Sequence, residues 1–134
     1  MPRVSKVVLD ASALLALLAD EPGASEVAAI ISDSMISSVN LAEVAGKLAD
    51  YGMSDAKIRK ALSIGVDIVN FTAEHAVATA RLRRKTTALG LSLGDRACLA
   101  TAMVAKVPAL TVDAAWKKVK VQGVKVKLIH RKKT

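Results

Sequence analysis

A single α/β domain built on a mainly parallel sheet is the architecture this 134-residue sequence predicts. Three observations carry that expectation. Short strand-like runs alternate with helical segments along the whole chain, with no internal repeat or low-complexity linker. Two of the runs, Val7-Val8-Leu9 and Ala109 to Val112, end abruptly in an aspartate, as buried strands do when their tips deliver charge to a cleft. Strands separated by helices require right-handed crossovers, and sheets of that kind bind ligands outside the carboxyl ends of their strands.

The elements follow in order. Val7 to Leu9 forms the first strand and Asp10 its tip. Ala13, Leu14, Leu17 and Leu18 then have helical spacing, and Pro22-Gly23 stops the helix. Ser25 to Ile31 predicts a second short helix with Val27, Ile30 and Ile31 on its apolar side. Met35 to Val39 is a brief strand, closed by Ser37 and Ser38. Leu41, Val44, Ala45 and Leu48 trace an i, i+3, i+4, i+7 face that Gly52 closes. Ser54 caps a helix holding Ile58, Ala61 and Leu62, and after Gly65 the β-branched VDIVNF predicts a strand over 66–71. Thr72 caps a long helix from Glu74 to about Ala88. Gly90 and Gly94 flank a loop, and an almost wholly apolar, hence buried, helix runs from Asp95 to Lys106 before Pro108. Ala109 to Asp113 is the fourth strand and AAWKKV a short helix. The alternating tail from Gly123 to His130 reads as a last strand, its Lys125 and Lys127 guarding an edge.

Composition narrows the functional classes. The chain is 52% hydrophobic, enough for a packed core and too much for a disordered protein. Its best apolar run, Ala11 to Ala19, is about half what a bilayer requires and lacks a cleavage site, so neither a membrane span nor a signal peptide is expected. Cys98 is the sole cysteine, which excludes a disulfide framework and points to the cytoplasm. A net charge of +8 favours a polyanionic partner. Trp116, Tyr51 and Phe71 are the only aromatics, too few for a base-stacking platform. Trp116 is expected as a core or interface anchor.

Four acids stand out by position: Asp10, Glu43, Asp95 and Asp113. Each has an ordinary structural use. Asp10 and Asp113 can cap the helices that follow them, Asp95 completes a capping box with Ser92, and Glu43 is correctly spaced to pair with Lys47. Together they argue for more, because strand tips and helix starts gather at one end of a parallel sheet. Converging carboxylates repel one another, and a cation or protons must neutralise them. Oxygen ligands without a His or Cys cluster suit a hard ion, Mg²⁺ or Mn²⁺. His75 and His130 have no metal-ligand spacing and are expected at the surface. Removing the four acids leaves eight acidic against 20 basic side chains. An anionic pocket on a basic body suits metal-dependent cleavage of a polyanion.

The segments VVLDASALLALL, SSVNLAEV, GLSLGDRACLATA and LTVDAAW, in this order and at these spacings, resemble the successive motifs of the PIN domain nucleases and, within them, the VapC toxins of toxin–antitoxin pairs. No single motif is specific; the ordered set covers nearly the whole chain and implies one PIN-like domain over residues 1–134. The resemblance implies a three-layer α/β/α domain and an acidic site in which Asp10, Asp95 and Asp113 lie closest to Mg²⁺ or Mn²⁺, with Glu43 acting through water. It implies that Ser12 and Thr111 orient those carboxylates, that the substrate is RNA, that the protein is a homodimer, and that an antitoxin fills the cleft. Arg81, Arg83, Arg84 and Lys85, with Arg96, are candidate phosphate contacts, although cations near a helix C-terminus also suit a solvated face. Two further readings stay open: an RNA-processing nuclease without an antitoxin, and a non-catalytic RNA-binding or scaffold domain, which leaves the four acids unexplained. A receiver-like or phosphoryl-transfer domain lacks its second acid here.

Overall fold

A computed structural model describes residues 6–129. Its centre is a five-stranded sheet of order β3-β2-β1-β4-β5, parallel at every pairing. The strands are β1 (Val7–Leu9), β2 (Ser34–Ser37), β3 (Asp67–Val69), β4 (Ala109–Thr111) and β5 (Val126–Leu128). Six helices flank it: α1 (Ala11–Leu18), α2 (Ala24–Ile30), α3 (Ser38–Asp50), α4 (Asp55–Leu62), α5 (Ala73–Thr86) and α6 (Leu93–Ala105).

Alternation along β1 divides the interior in two. Val7 and Leu9 face a core with Leu14, Val27, Ile36, Val44, Leu48 and Ile58, which belongs to α1–α4. Val8 faces the opposite way, into a core with Leu82, Cys98, Leu99, Ala109 and Trp116, supplied chiefly by α5 and α6. Helices on both faces of one sheet make the three-layer α/β/α arrangement. In α6 the buried residues include Ala97, Cys98, Ala100, Thr101 and Ala102, and these small side chains let the helix lie close to α5 and the sheet. Trp116 is 1% exposed and anchors this second core, as expected of it.

The sheet order has a direct consequence for the site. From central β1 the chain goes first to β2 on one side and later to β4 on the other, so β1 and β4 border a topological switch point. The carboxyl ends of these two strands carry Asp10 and Asp113.

Several boundaries differ from the sequence expectation. Val39 lies in α3, not in a strand, because the Ser37 hydroxyl accepts the Val39 N–H and starts the helix there. The third strand is half the expected length. It is an edge strand with Ile68 51% exposed, so only β2 stabilises it on one side. The short element after Asp113 is a 3₁₀ helix, Ala114–Lys118. Gly94 lies inside α6 rather than in the loop before it. His75 is buried, contrary to expectation: its Nδ1 accepts the Thr72 N–H at 3.0 Å and its ring stacks on Phe71, with centroids 5.9 Å apart. His130 lies outside the described residues. Lys125 and Lys127 are exposed beside and within edge strand β5, matching the guarded-edge reading.

Candidate active site

Asp10 begins as a helix cap and becomes the buried base of a polar network. Its backbone N–H continues the β1–β4 pairing by donating to Leu110 O at 3.0 Å. Its Oδ1 accepts the Ala13 N–H at 2.8 Å and so caps α1. The Ser12 hydroxyl sits 2.8 Å from Oδ1 and 2.9 Å from Oδ2, and the Thr111 hydroxyl donates to Oδ2 at 2.5 Å. Each hydroxyl is itself fed by a backbone N–H of the β4 exit. Val112 N–H donates to Ser12 Oγ at 3.3 Å, and Asp113 N–H donates to Thr111 Oγ1 at 3.0 Å. A hydroxyl that accepts one bond donates the next more strongly, so two relays converge on one carboxylate. Ser12 and Thr111 thus orient Asp10.

None of these partners is cationic. Asp10 is 4% exposed, and its pKa is pushed up to about 6. Burial is the largest cause, and the charge of Asp95 adds to it, against the opposing bonds from Thr111, Ala13 and Ser12.

Asp95 occupies the first turn of α6, half-buried. Its Oδ2 accepts the Ser92 N–H at 3.0 Å while its own N–H donates to Ser92 Oγ at 3.1 Å, the reciprocal capping box the sequence predicts. Glu43 lies on α3 with its exposed carboxylate laid over Gly94. A Cβ at position 94 would stand 2.6 Å from Glu43 Cδ and 2.7 Å from Oε2. Glu43 bonds with Asn40, not Lys47: Asn40 Nδ2 donates to Oε1 at 2.9 Å. The thiol of Cys98 is fully buried. Its pKa is raised by burial first, and then by the charges of Asp10, Asp95 and Glu43.

Asp113 is placed differently. Its backbone joins the Asp10 network through Thr111, while its exposed carboxylate caps the 3₁₀ helix by accepting the Ala115 N–H at 3.0 Å. It borders a shallow depression of about 340 Å³ lined with Ser12, Val112 and Ala114. A larger one, about 620 Å³, lies at the opposite end of β4 around Lys106, Val107 and Lys125, away from the acids.

Among the candidate basic contacts, Arg81, Arg83, Arg84 and Lys85 are exposed on α5, while Arg96 is half-buried directly after Asp95. The residue that sequence reasoning passed over is Asn40, 1% exposed at the start of α3. Its signal was faint: one of only two asparagines, three positions before Glu43.

A match to the PIN domain model covers residues 7–122, most of the chain and every element from β1 through the 3₁₀ helix. The chain belongs to the PIN domain family. PIN domains are in general nucleases, and PIN nucleases generally use divalent metals. No curated protein sequence matches this chain. Solved structures similar to this PIN domain include VapBC2 from Rickettsia felis bound to a promoter DNA fragment. That structure is 15% identical with a TM-score of 0.74, over 92% of this chain and 98% of that one. A toxin–antitoxin complex from Klebsiella pneumoniae is 23% identical with a TM-score of 0.72, over 92% and 100%. VapBC-5 from Mycobacterium tuberculosis is 21% identical with a TM-score of 0.62, over 96% and 100%. At these identities the likeness is one of fold.

The residues present fit a hard divalent cation by their chemistry. Every donor is a carboxylate oxygen, and the buried one is held by neutral groups that leave its charge uncompensated. Among the described residues no three His, Cys, Asp or Glu side chains are grouped closely enough to hold a metal ion as they stand, so the fit is one of donor type. Asp95 and Asp113 each direct one oxygen to a helix cap and retain a second. No described helix is long and apolar enough to cross a membrane.

Proposed function

We propose that this PIN domain is a metal-dependent endoribonuclease, the toxin of a VapBC-type pair, working through Asp10, Glu43, Asp95 and Asp113. The observation that carries the reading is Asp10: a buried carboxylate at the switch point, oriented by two hydroxyl relays and opposed by burial and by Asp95. Asp10, Asp95 and Asp113 would hold Mg²⁺ or Mn²⁺, with Glu43 beside them; when bound, such an ion would supply positive charge to activate water and stabilise the leaving oxygen. The protein's own part is geometric. Ser12 and Thr111 fix the Asp10 carboxylate, and Asp95 approaches it from α6. Arg81, Arg83, Arg84 and Lys85 hold the phosphate backbone, and Arg96 stands beside Asp95. The solved relatives that are toxin–antitoxin complexes support an antitoxin partner, and a homodimer and a cytoplasmic location go with this reading.

Incubation of total RNA with the purified protein tests this. Cleavage is expected with Mg²⁺ or Mn²⁺ and none with EDTA; equal cleavage in EDTA would contradict the reading. Expression without a partner is expected to arrest growth, and Asp95→Ala to relieve the arrest. Normal growth with active, soluble protein would instead favour an RNA-processing nuclease.

The raised pKa adds a pH prediction. Because burial raises Asp10 from 3.8 to about 6, its ionisation opposes folding. That cost is absent below about pH 4 and fully present above about pH 6. Metal binding has the opposite preference, requiring the ionised form. Mn²⁺ affinity should therefore weaken by up to about tenfold per unit as pH falls below about 6. Thr111→Val removes a bond that favours ionisation, so it should weaken Mn²⁺ binding at pH 7 by about 10–100-fold and move the midpoint upward. Calorimetric titration across pH 5–8 reads both; a flat profile would exclude Asp10 as a ligand.

A further inference from the structure

We infer that Asn40 is a positioning residue for Glu43, an assignment that rests on the nuclease reading and extends it to a residue outside the acidic set. Asn40 Nδ2 donates at 2.9 Å to Glu43 Oε1 and at 2.9 Å to Gly94 O. One amide therefore ties the carboxylate on α3 to the helix that carries Asp95 one residue later. Both partners are acceptors only, so they settle which end of the amide faces them. Reversed, the amide would set three oxygens against one another.

The other end of the same side chain makes the assignment sharper. Asn40 Oδ1 is buried and has no hydrogen-bond partner among the described residues. An unpaired acceptor in the interior is costly, and a leucine of nearly the same size would serve packing at this position better. What only the asparagine supplies is the pair of donors. The carboxylate it holds is otherwise free to swing, since Glu43 is exposed and lies over a residue without a side chain. Gly94 makes room for the Glu43 carboxylate, and Asn40 keeps it there. Precise placement of this kind is what a metal-dependent or water-activating carboxylate needs from its neighbours.

A double-mutant cycle on the full chain tests this, using wild type, Asn40→Leu, Glu43→Ala and the double variant. Mn²⁺ affinity is read by calorimetry, and kcat and KM on a short fluorogenic RNA. Asn40→Leu is expected to lower kcat by about 10–100-fold with little change in KM and to weaken Mn²⁺ binding by about tenfold. In the Glu43→Ala background the same change should alter either quantity less than about twofold, because the group being positioned is gone. Asn40→Ala, which removes both donors without adding a charge, is expected to show the same coupling and stands in if the leucine variant does not fold. Equal losses with and without Glu43 would overturn the assignment and leave Asn40 a merely structural contact. A wild-type protein that neither binds Mn²⁺ nor cuts RNA would overturn the nuclease reading and this inference with it.

Discussion

Asp10→Asn is expected to abolish RNA cleavage and, in the same protein, to raise stability at neutral pH. The loss should be on the order of 10³-fold or more, the equivalent of about 4 kcal/mol of transition-state stabilisation. The gain follows from the same carboxylate. Asp10 titrates at about 6 against an ordinary value of 3.8, so keeping it ionised at pH 7 costs the fold roughly 3 kcal/mol. Asparagine carries no charge to desolvate, and its Oδ1 can still accept the Ala13 N–H that starts α1. Allowing for less favourable bonds to Thr111 and Ser12, a net gain of about 1–3 kcal/mol and a rise of several degrees in Tm are expected. Thermal melts in EDTA at pH 7 check the stability arm, and at pH 4 the advantage should vanish. A variant less stable than wild type at both pH values would mean that Asp10 is held as a structural cap and little else.

The second large effect is expected where a stability argument points the other way. Gly94 has an ordinary helical backbone inside α6, so alanine should fit the conformation and favour the helix by about 0.5–1 kcal/mol. The atoms nearest to the added Cβ are not backbone. Its neighbours are the carboxylate atoms of Glu43, with Cδ at 2.6 Å and Oε2 at 2.7 Å, the far end of a flexible side chain that can move aside. Gly94→Ala should therefore keep its stability within about 1 kcal/mol of wild type, with Tm changed by only a few degrees, while losing about 10–100-fold in cleavage. Cleavage unchanged beside an unchanged Tm would mean that the position of Glu43 over Gly94 has no part in the reaction.

These two residues illustrate what a sequence carries and what it does not. The place of Asp10 was legible because its cause is local: an apolar strand, a carboxylate and a helix start are adjacent in the chain. The same holds for the Ser92–Asp95 capping box and for the alternation of helical and strand-like runs that implies the parallel sheet. Gly94 misled in an instructive way. A second glycine four residues after Gly90 reads as the end of a loop, yet here it serves the approach of a side chain 51 positions earlier. Asn40 was illegible for the same reason, since its meaning lies in Gly94 O, 54 positions away. The third strand shrank because VDIVNF has strand composition but only one neighbouring strand, and tertiary pairing sets strand length. His75 was placed at the surface because it stands alone without metal-ligand spacing; its burial comes from a capping box in which a ring nitrogen plays the part usually taken by Glu or Gln. Asp113 was identified by its topological position, and its use as a cap coexists with that placement.

Binding of Mn²⁺ to wild type and to Asp10→Asn, titrated by calorimetry at pH 7 on folded, EDTA-stripped protein, addresses the acidic site most directly. Saturable binding to wild type that is lost, or weakened at least about 10²-fold, in Asp10→Asn is the expected result. Equal affinity in the two proteins, or no binding to either, would contradict it.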